Sequence, residues 1–148
     1  MLPVFPQIRD GVPKVTGILE TGLDVDDLGR SVDFYHRILG FEIIERSERL
    51  CAFSVAGRDV LILFQREESA KAVEIAGGKI PPHGSTGPIH FAFAIDPGEL
   101  PQWEKLLAAN AIPIESRVHW ERGGTSIYFR DRDQHLLELA TPGIWSIY

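Results

Sequence analysis

Apolar and polar positions alternate with a period of two in two separate stretches of the chain. In the first, Leu19, Thr21, Leu23 and Val25 fall on one face and Glu20, Gly22 and Asp24 on the other. In the second, Ile89, Phe91, Phe93 and Ile95 form one face and His90, Ala92 and Ala94 the other. Period-two alternation is the mark of a half-buried strand. After each strand the period lengthens to that of a helix. Leu28, Val32, Tyr35 and Leu39 recur at helical spacing, with Phe34 and Ile38 widening the stripe. Asp26 or Asp27 supplies an N-cap and Gly40 the left-handed residue that closes the segment, so a helix is predicted over residues 27–39. Leu100, Trp103, Leu106 and Leu107 mark a second helix, with Pro101 tolerated in its first turn.

Strand-like runs follow each helix. The first set covers residues 41–45, 50–55 and 60–65. The second covers 112–115, 118–120, 126–129 and 135–140, the last two joined across a polar turn at 130–134 that reads as solvated. Residues 67–78 are mixed and accommodate a helical turn or two, and 80–88 (I-P-P-H-G-S-T-G-P) is the clearest irregular stretch.

The two halves repeat. Leu19-Glu20-Thr21-Gly22-Leu23 matches Ile89-His90-Phe91-Ala92-Phe93 at an offset of 70 residues, and Phe41-Glu42-Ile43 matches Ile112-Pro113-Ile114 at 71. Both copies carry the same order, so the agreement outweighs any single element. A lone βαβββ unit covers only one face of its sheet and needs a partner on the other. The predicted fold is therefore α+β, two paired βαβββ modules forming a half-open barrel around a cleft. Residues 1–14 are a lead-in, 15–66 the first module, 67–88 a linker, and 89–148 the second module with an apolar tail. Glu20 and His90 occupy equivalent positions, both turned from the helices toward the cleft. Glu138 is the one acid in an apolar strand, at a position whose first-copy counterpart falls near Leu63. An ionised carboxylate there needs a partner or a coordinated ion.

Composition narrows the function classes. The 148 residues suit one domain or two half-domains, and 44% apolar content supports a core. A net charge of −6 with scattered basic residues argues against nucleic acid, so no nucleic-acid partner is expected. The lone Cys51 excludes an intramolecular disulfide and reads as a small apolar filler in a reducing compartment. No run reaches membrane-spanning length, and residues 1–15 lack a secretory pattern, so no membrane is involved and the expected location is cytoplasmic.

Three stretches, L-D-V-D-D-L-G-R-S-V-D-F-Y-H-R-I-L-G-F (23–41), I-H-F-A-F-A-I (89–95) and S-I-Y-F-R-D-R-D-Q-H-L-L-E-L (126–139), together resemble the vicinal oxygen chelate superfamily, the glyoxalase, bleomycin-resistance and extradiol dioxygenase group. The resemblance implies a cleft holding a divalent metal, with Glu20, His90 and Glu138 as its ligands and Glu20 and Glu138 as catalytic carboxylates. Many members have histidine where Glu20 stands, and the glyoxalase I type has a fourth ligand near Leu63. One imidazole and two carboxylates suit manganese, magnesium or zinc without excluding iron, which favours redox-neutral chemistry on a small oxygenated molecule. The resemblance equally admits a metal-free protein that sequesters a small molecule, as bleomycin-resistance members do.

His83, His119, Trp120 and Tyr128 are the candidate substrate-binding residues. His36 reads as surface, and His135 faces opposite to Glu138 and is excluded as a ligand. The tail Ile144-Trp145-Ser146-Ile147-Tyr148 is apolar enough to pack on its own sheet or on a second subunit. A homodimer is expected, with the modules pairing within one chain or exchanging between two through residues 80–88.

Overall fold

The alternating stretches and the runs that follow the helices fold as two four-stranded sheets. A computed structural model describes Pro13 and residues 16–148; all other residues of the expected lead-in lie outside the described residues. The first module comprises β1 (Glu20–Val25), α1 (Leu28–Val32), β2 (Glu42–Arg46), β3 (Leu50–Val55) and β4 (Asp59–Gln65). A small hairpin follows, β5 (Val73–Ile75) and β6 (Gly78–Ile80). The second module comprises β7 (His90–Ala94), α2 (Leu100–Ala109), β8 (Ser116–His119), β9 (Thr125–Arg130) and β10 (Leu136–Ala140). The strand orders are β1-β4-β3-β2 and β7-β10-β9-β8. In each sheet the first strand runs parallel to the last and the remaining pairs are antiparallel. The fold is thus mixed α+β, built from two βαβββ modules, as the internal repeat predicts.

Local expectations are settled or changed at four points. Asp27, not Asp26, caps α1 by accepting from the Arg30 amide at 3.0 Å. The helix does not run evenly to Leu39. Residues Asp33–Ile38 form a wider turn in which the Leu39 amide donates to the Phe34 carbonyl at 3.1 Å, and Gly40 ends it with φ +80°. Residues 67–78 contain no helix but lead into the β5–β6 hairpin. The run 112–115 is not a strand; pairing begins at Ser116, past Pro113, which has no amide to donate.

Register corrects a fifth point. Val60 lies opposite Glu20 and Leu136 opposite His90, so the first-module counterpart of Glu138 is Ile62. Leu63 is fully buried on the other face. The ligand position is apolar in the first copy either way.

One core serves both modules. Leu23, Val25, Leu61 and Leu63 of the first sheet and Ile127, Phe129, Leu137 and Leu139 of the second belong to it, together with Val32, Phe34, Tyr35, Ile38 and Leu107 from the helical segments. The helix-facing sides of the two sheets therefore share the interior, and the opposite faces point outward. Phe41 meets Phe93 edge-to-face across the module boundary, ring centroids 5.0 Å apart.

Polar contacts reinforce that boundary. The turn expected to be solvated carries Asp131, which is buried. Asp131 accepts from the Tyr35 hydroxyl at 2.7 Å and from the amides of Asp133 and His135 at 2.9 Å each. His135 is buried here as well. Its Nδ1 accepts from the Ile89 amide at 3.0 Å, so Nε2 carries the proton and donates to the Asp24 carbonyl, also at 3.0 Å. Among the described residues no helix is long and apolar enough to cross a membrane.

Candidate functional site

The outward face of the second sheet is set by register. Alternation on β7 and β10 puts His90, Ala92 and Ala94 on the same side as Leu136, Glu138 and Ala140. On β9, Tyr128 lies opposite Glu138 and Ser126 opposite Ala140, which brings both onto that face. The small Ala92 and Ala94 leave a hollow beside two side chains that can carry charge.

Glu138 is only 6% exposed despite its carboxylate. Two hydrogen bonds in series account for one of its oxygens. The Trp120 indole N–H donates to Ser126 Oγ at 2.9 Å, and the Ser126 hydroxyl donates in turn to Glu138 Oε1 in a short contact. The other oxygen, Oε2, faces His90 Nε2 at 3.2 Å. His90 Nδ1 lies 2.8 Å from the Leu136 carbonyl, which can only accept, so Nδ1 carries a proton. Nε2, the remaining ring nitrogen, faces the carboxylate oxygen with a lone pair in the neutral form of the ring and with a proton in the imidazolium. Two acceptors at that separation repel unless a cation or a proton stands between them. Tyr128 closes the side, its ring 6.1 Å from that of His90. Burial, reinforced by the Glu138 carboxylate, raises its phenol above the ordinary tyrosine value.

Residues 141–148 roof this hollow. Ile144, Trp145, Ile147 and Tyr148 border it with Trp120, leaving a half-open cavity of about 400 Å³ beside His90 and Glu138. The tail is tied to its own sheet through the Tyr148 hydroxyl, which donates to the Ala140 carbonyl, while Trp145 and Ile147 stay exposed.

The structure brings His90, Glu138, Trp120 and Tyr128 together. It does not bring Glu20, His83 or His119 to them. Glu20 is exposed on the outward face of the first sheet, on the far side of the shared core. His83 stands over that same face, its ring edge-on to Phe64 at 4.6 Å, lining a second cavity of about 380 Å³ with Arg49, Lys71 and Ile80. His119 lies opposite Thr125 and bonds its hydroxyl at 3.2 Å, which places it on the helix-facing side of β8. Among the described residues no three His, Cys, Asp or Glu side chains stand close enough to hold a metal ion. Arg130, on the cleft face, is held by Glu115 at 2.8 and 3.1 Å and by the Gln134 carbonyl at 3.1 Å.

Two participants escaped the sequence reading. Ser126 is the hydroxyl between Trp120 and Glu138; its alternation with Ile127 and Phe129 was a usable signal. The tail's place over His90 had no local signal, since it depends on a reversal at Gly143.

The architecture is matched by known proteins. The model of the Glyoxalase/Bleomycin resistance protein/Dioxygenase superfamily matches residues 17–139. The chain is similar to a metallothiol transferase FosB of Bacillus licheniformis, 31% identical over 133 residues, 89% of this chain and 79% of that protein. A FosB of Staphylococcus epidermidis is 32% identical over 129 residues, covering 86% and 83%. The crystal structure of a lactoylglutathione lyase from Agrobacterium tumefaciens shares 32% identity with a TM-score of 0.81, covering 90% of this chain and 99% of that one.

Proposed function

The chain belongs to the Glyoxalase/Bleomycin resistance protein/Dioxygenase superfamily, and from that premise we propose that it is a metal-dependent enzyme acting on a small oxygenated molecule at the His90–Glu138 cleft. The reading rests above all on one observation. His90 Nε2 and Glu138 Oε2 face each other at 3.2 Å, with Nδ1–H already engaged by the Leu136 carbonyl. Two ligand atoms bound to one ion at about 2.0–2.2 Å stand roughly 3.0–3.5 Å apart at ordinary coordination angles. The pair fits a divalent cation with no rearrangement. When bound, such an ion polarises an oxygen of the substrate as a Lewis acid.

The protein's own groups have separable roles. The Leu136 carbonyl fixes the His90 tautomer and ring plane, as partners of ligating imidazoles do. Ser126 holds Glu138 Oε1 so that Oε2 alone is presented. Trp120 orients Ser126 through its indole N–H. Tyr128, whose phenol keeps its proton more firmly than usual, serves as a hydrogen-bond donor to substrate beside His90.

Glu20 is the third ligand in this reading, and it comes from a second copy of the chain. Within one chain the Glu20 face and the His90 face point outward on opposite sides of the core. A two-fold related copy sets each Glu20 beside the other's His90 and produces two equivalent sites in a homodimer. The FosB relatives are metallothiol transferases by name, so metal-assisted thiol transfer is the favoured reaction class.

The test is metal content. Protein dialysed against manganese or zinc should retain near one ion per chain, and His90→Ala and Glu138→Ala should retain far less. Wild type that takes up no divalent ion rules the reading out in favour of a metal-free binding protein.

A further inference from the structure

The roof over the His90–Glu138 pair has a composition of its own. Trp120, Ile144, Trp145, Ile147 and Tyr148 supply it, and no Lys or Arg lines the cavity among the described residues. Arg130 shares the face but is occupied by Glu115. Trp145 is 71% exposed and Ile147 95% exposed. Large apolar groups gathered at the mouth of a cavity and left in water mark a surface that awaits apolar cover.

This wall is preformed. Thr141 Oγ1 accepts from the Thr125 amide at 2.8 Å, the Gly124 amide donates to the Gly143 carbonyl at 3.1 Å, and the Tyr148 hydroxyl donates to the Ala140 carbonyl at 2.8 Å. Gly124 and Gly143 touch backbone to backbone. A Cβ on Gly143 would meet Gly124 N at 2.5 Å, and its φ of +104° is open to glycine alone. The reversal is thus anchored at its hinge and at Tyr148, with Trp145 held between.

We propose that Trp120, Trp145 and Tyr148 form a specificity subsite that holds the aromatic or aliphatic body of an uncharged substrate whose oxygens face His90 and Glu138. The inference rests on the metal-site reading for the polar end and on Trp120 and the tail for the apolar end. Because no Lys or Arg lines this cavity among the described residues, a phosphate or phosphonate dianion gains nothing from the wall. A ring buried against the two indoles removes enough apolar surface to raise affinity roughly tenfold or more.

Two chelating probes that differ only in body separate the cases. Acetohydroxamate and benzohydroxamate are titrated calorimetrically into zinc-loaded full-length protein, with methylphosphonate as the anionic control. Benzohydroxamate should bind at least tenfold tighter than acetohydroxamate, and methylphosphonate weakest. Trp145→Ala should bring the two hydroxamates within about threefold of each other, while Trp145→Phe, which keeps an aromatic wall, should preserve the preference. Equal hydroxamate affinities in wild type, both lost in His90→Ala, overturn the subsite and leave the metal reading intact. A benzohydroxamate affinity unchanged by His90→Ala keeps the subsite and overturns the metal reading. Methylphosphonate binding tighter than benzohydroxamate also overturns the subsite.

Discussion

The Tyr35 hydroxyl donates to Asp131 at 2.7 Å, joining the helical segment of the first module to the turn before β10 of the second. Both groups are buried, and 96 residues separate them in the chain. Burial raises the Asp131 carboxyl, against the opposing pull of the Tyr35 hydrogen bond. Burial, then the nearby Asp131 charge, raises the Tyr35 phenol well above its usual value.

The sign for Tyr35 follows from linkage. With its folded pKa raised, the native state keeps a proton that the unfolded state loses, so stability present below about pH 10 falls as pH rises beyond it. Tyr35→Phe should lose about 1–3 kcal/mol at neutral pH, because Asp131 is left short of a donor. It should also show a shallower loss than wild type above about pH 10. Urea denaturation from pH 7 to 11 reads both effects; an unchanged alkaline slope refutes the linkage.

Removing the hydroxyl between Trp120 and Glu138 tests the positioning role of Ser126. Ser126→Ala leaves the indole N–H without its acceptor and frees Glu138 to turn from His90. Metal affinity should drop roughly 10–100-fold. Competition with a chelator measures it, and circular dichroism checks that the fold persists. Ser126→Thr, which retains the donor, should recover much of the loss.

Sites shared between copies can be rebuilt from two defective chains. Glu20→Ala and His90→Ala homodimers should each bind little metal. Co-refolded, random mixing restores one intact site in each heterodimer, about one quarter of the wild-type content. No recovery means that Glu20 is not shared in this way.

Gly143→Ala places a methyl group against the Gly124 backbone at a φ that non-glycine residues avoid. The reversal should release, exposing Trp145 further and raising acrylamide quenching of tryptophan fluorescence. The shared core lies elsewhere, so thermal unfolding should shift by only a few degrees, about 1 kcal/mol. Unchanged quenching means that the glycine contact does not hold the tail.

The repeat was legible because its cause is local. Alternation on 19–25 and 89–95 follows from strands with one apolar and one polar side, and both copies carry it. The same alternation placed Glu20, His90 and Glu138 on the faces turned from the helices. Glu138 also stood out because a carboxylate amid leucines requires a partner.

Other features depended on contacts between distant segments. Asp131 looks like an exposed turn residue until Tyr35 reaches it from the first module. The faces carrying Glu20 and His90 are each given by their own strand, but whether they converge depends on which sides share the core. That is a matter of packing, and Phe41 against Phe93 with Tyr35 against Asp131 decides it. Chain order and side-chain character by themselves determined two βαβββ modules and the residue types at their faces. Only the tertiary structure decided that His90 meets Glu138 while Glu20 stands apart, because hydrophobic burial is non-directional along the sequence and the modules settle where their apolar faces close together.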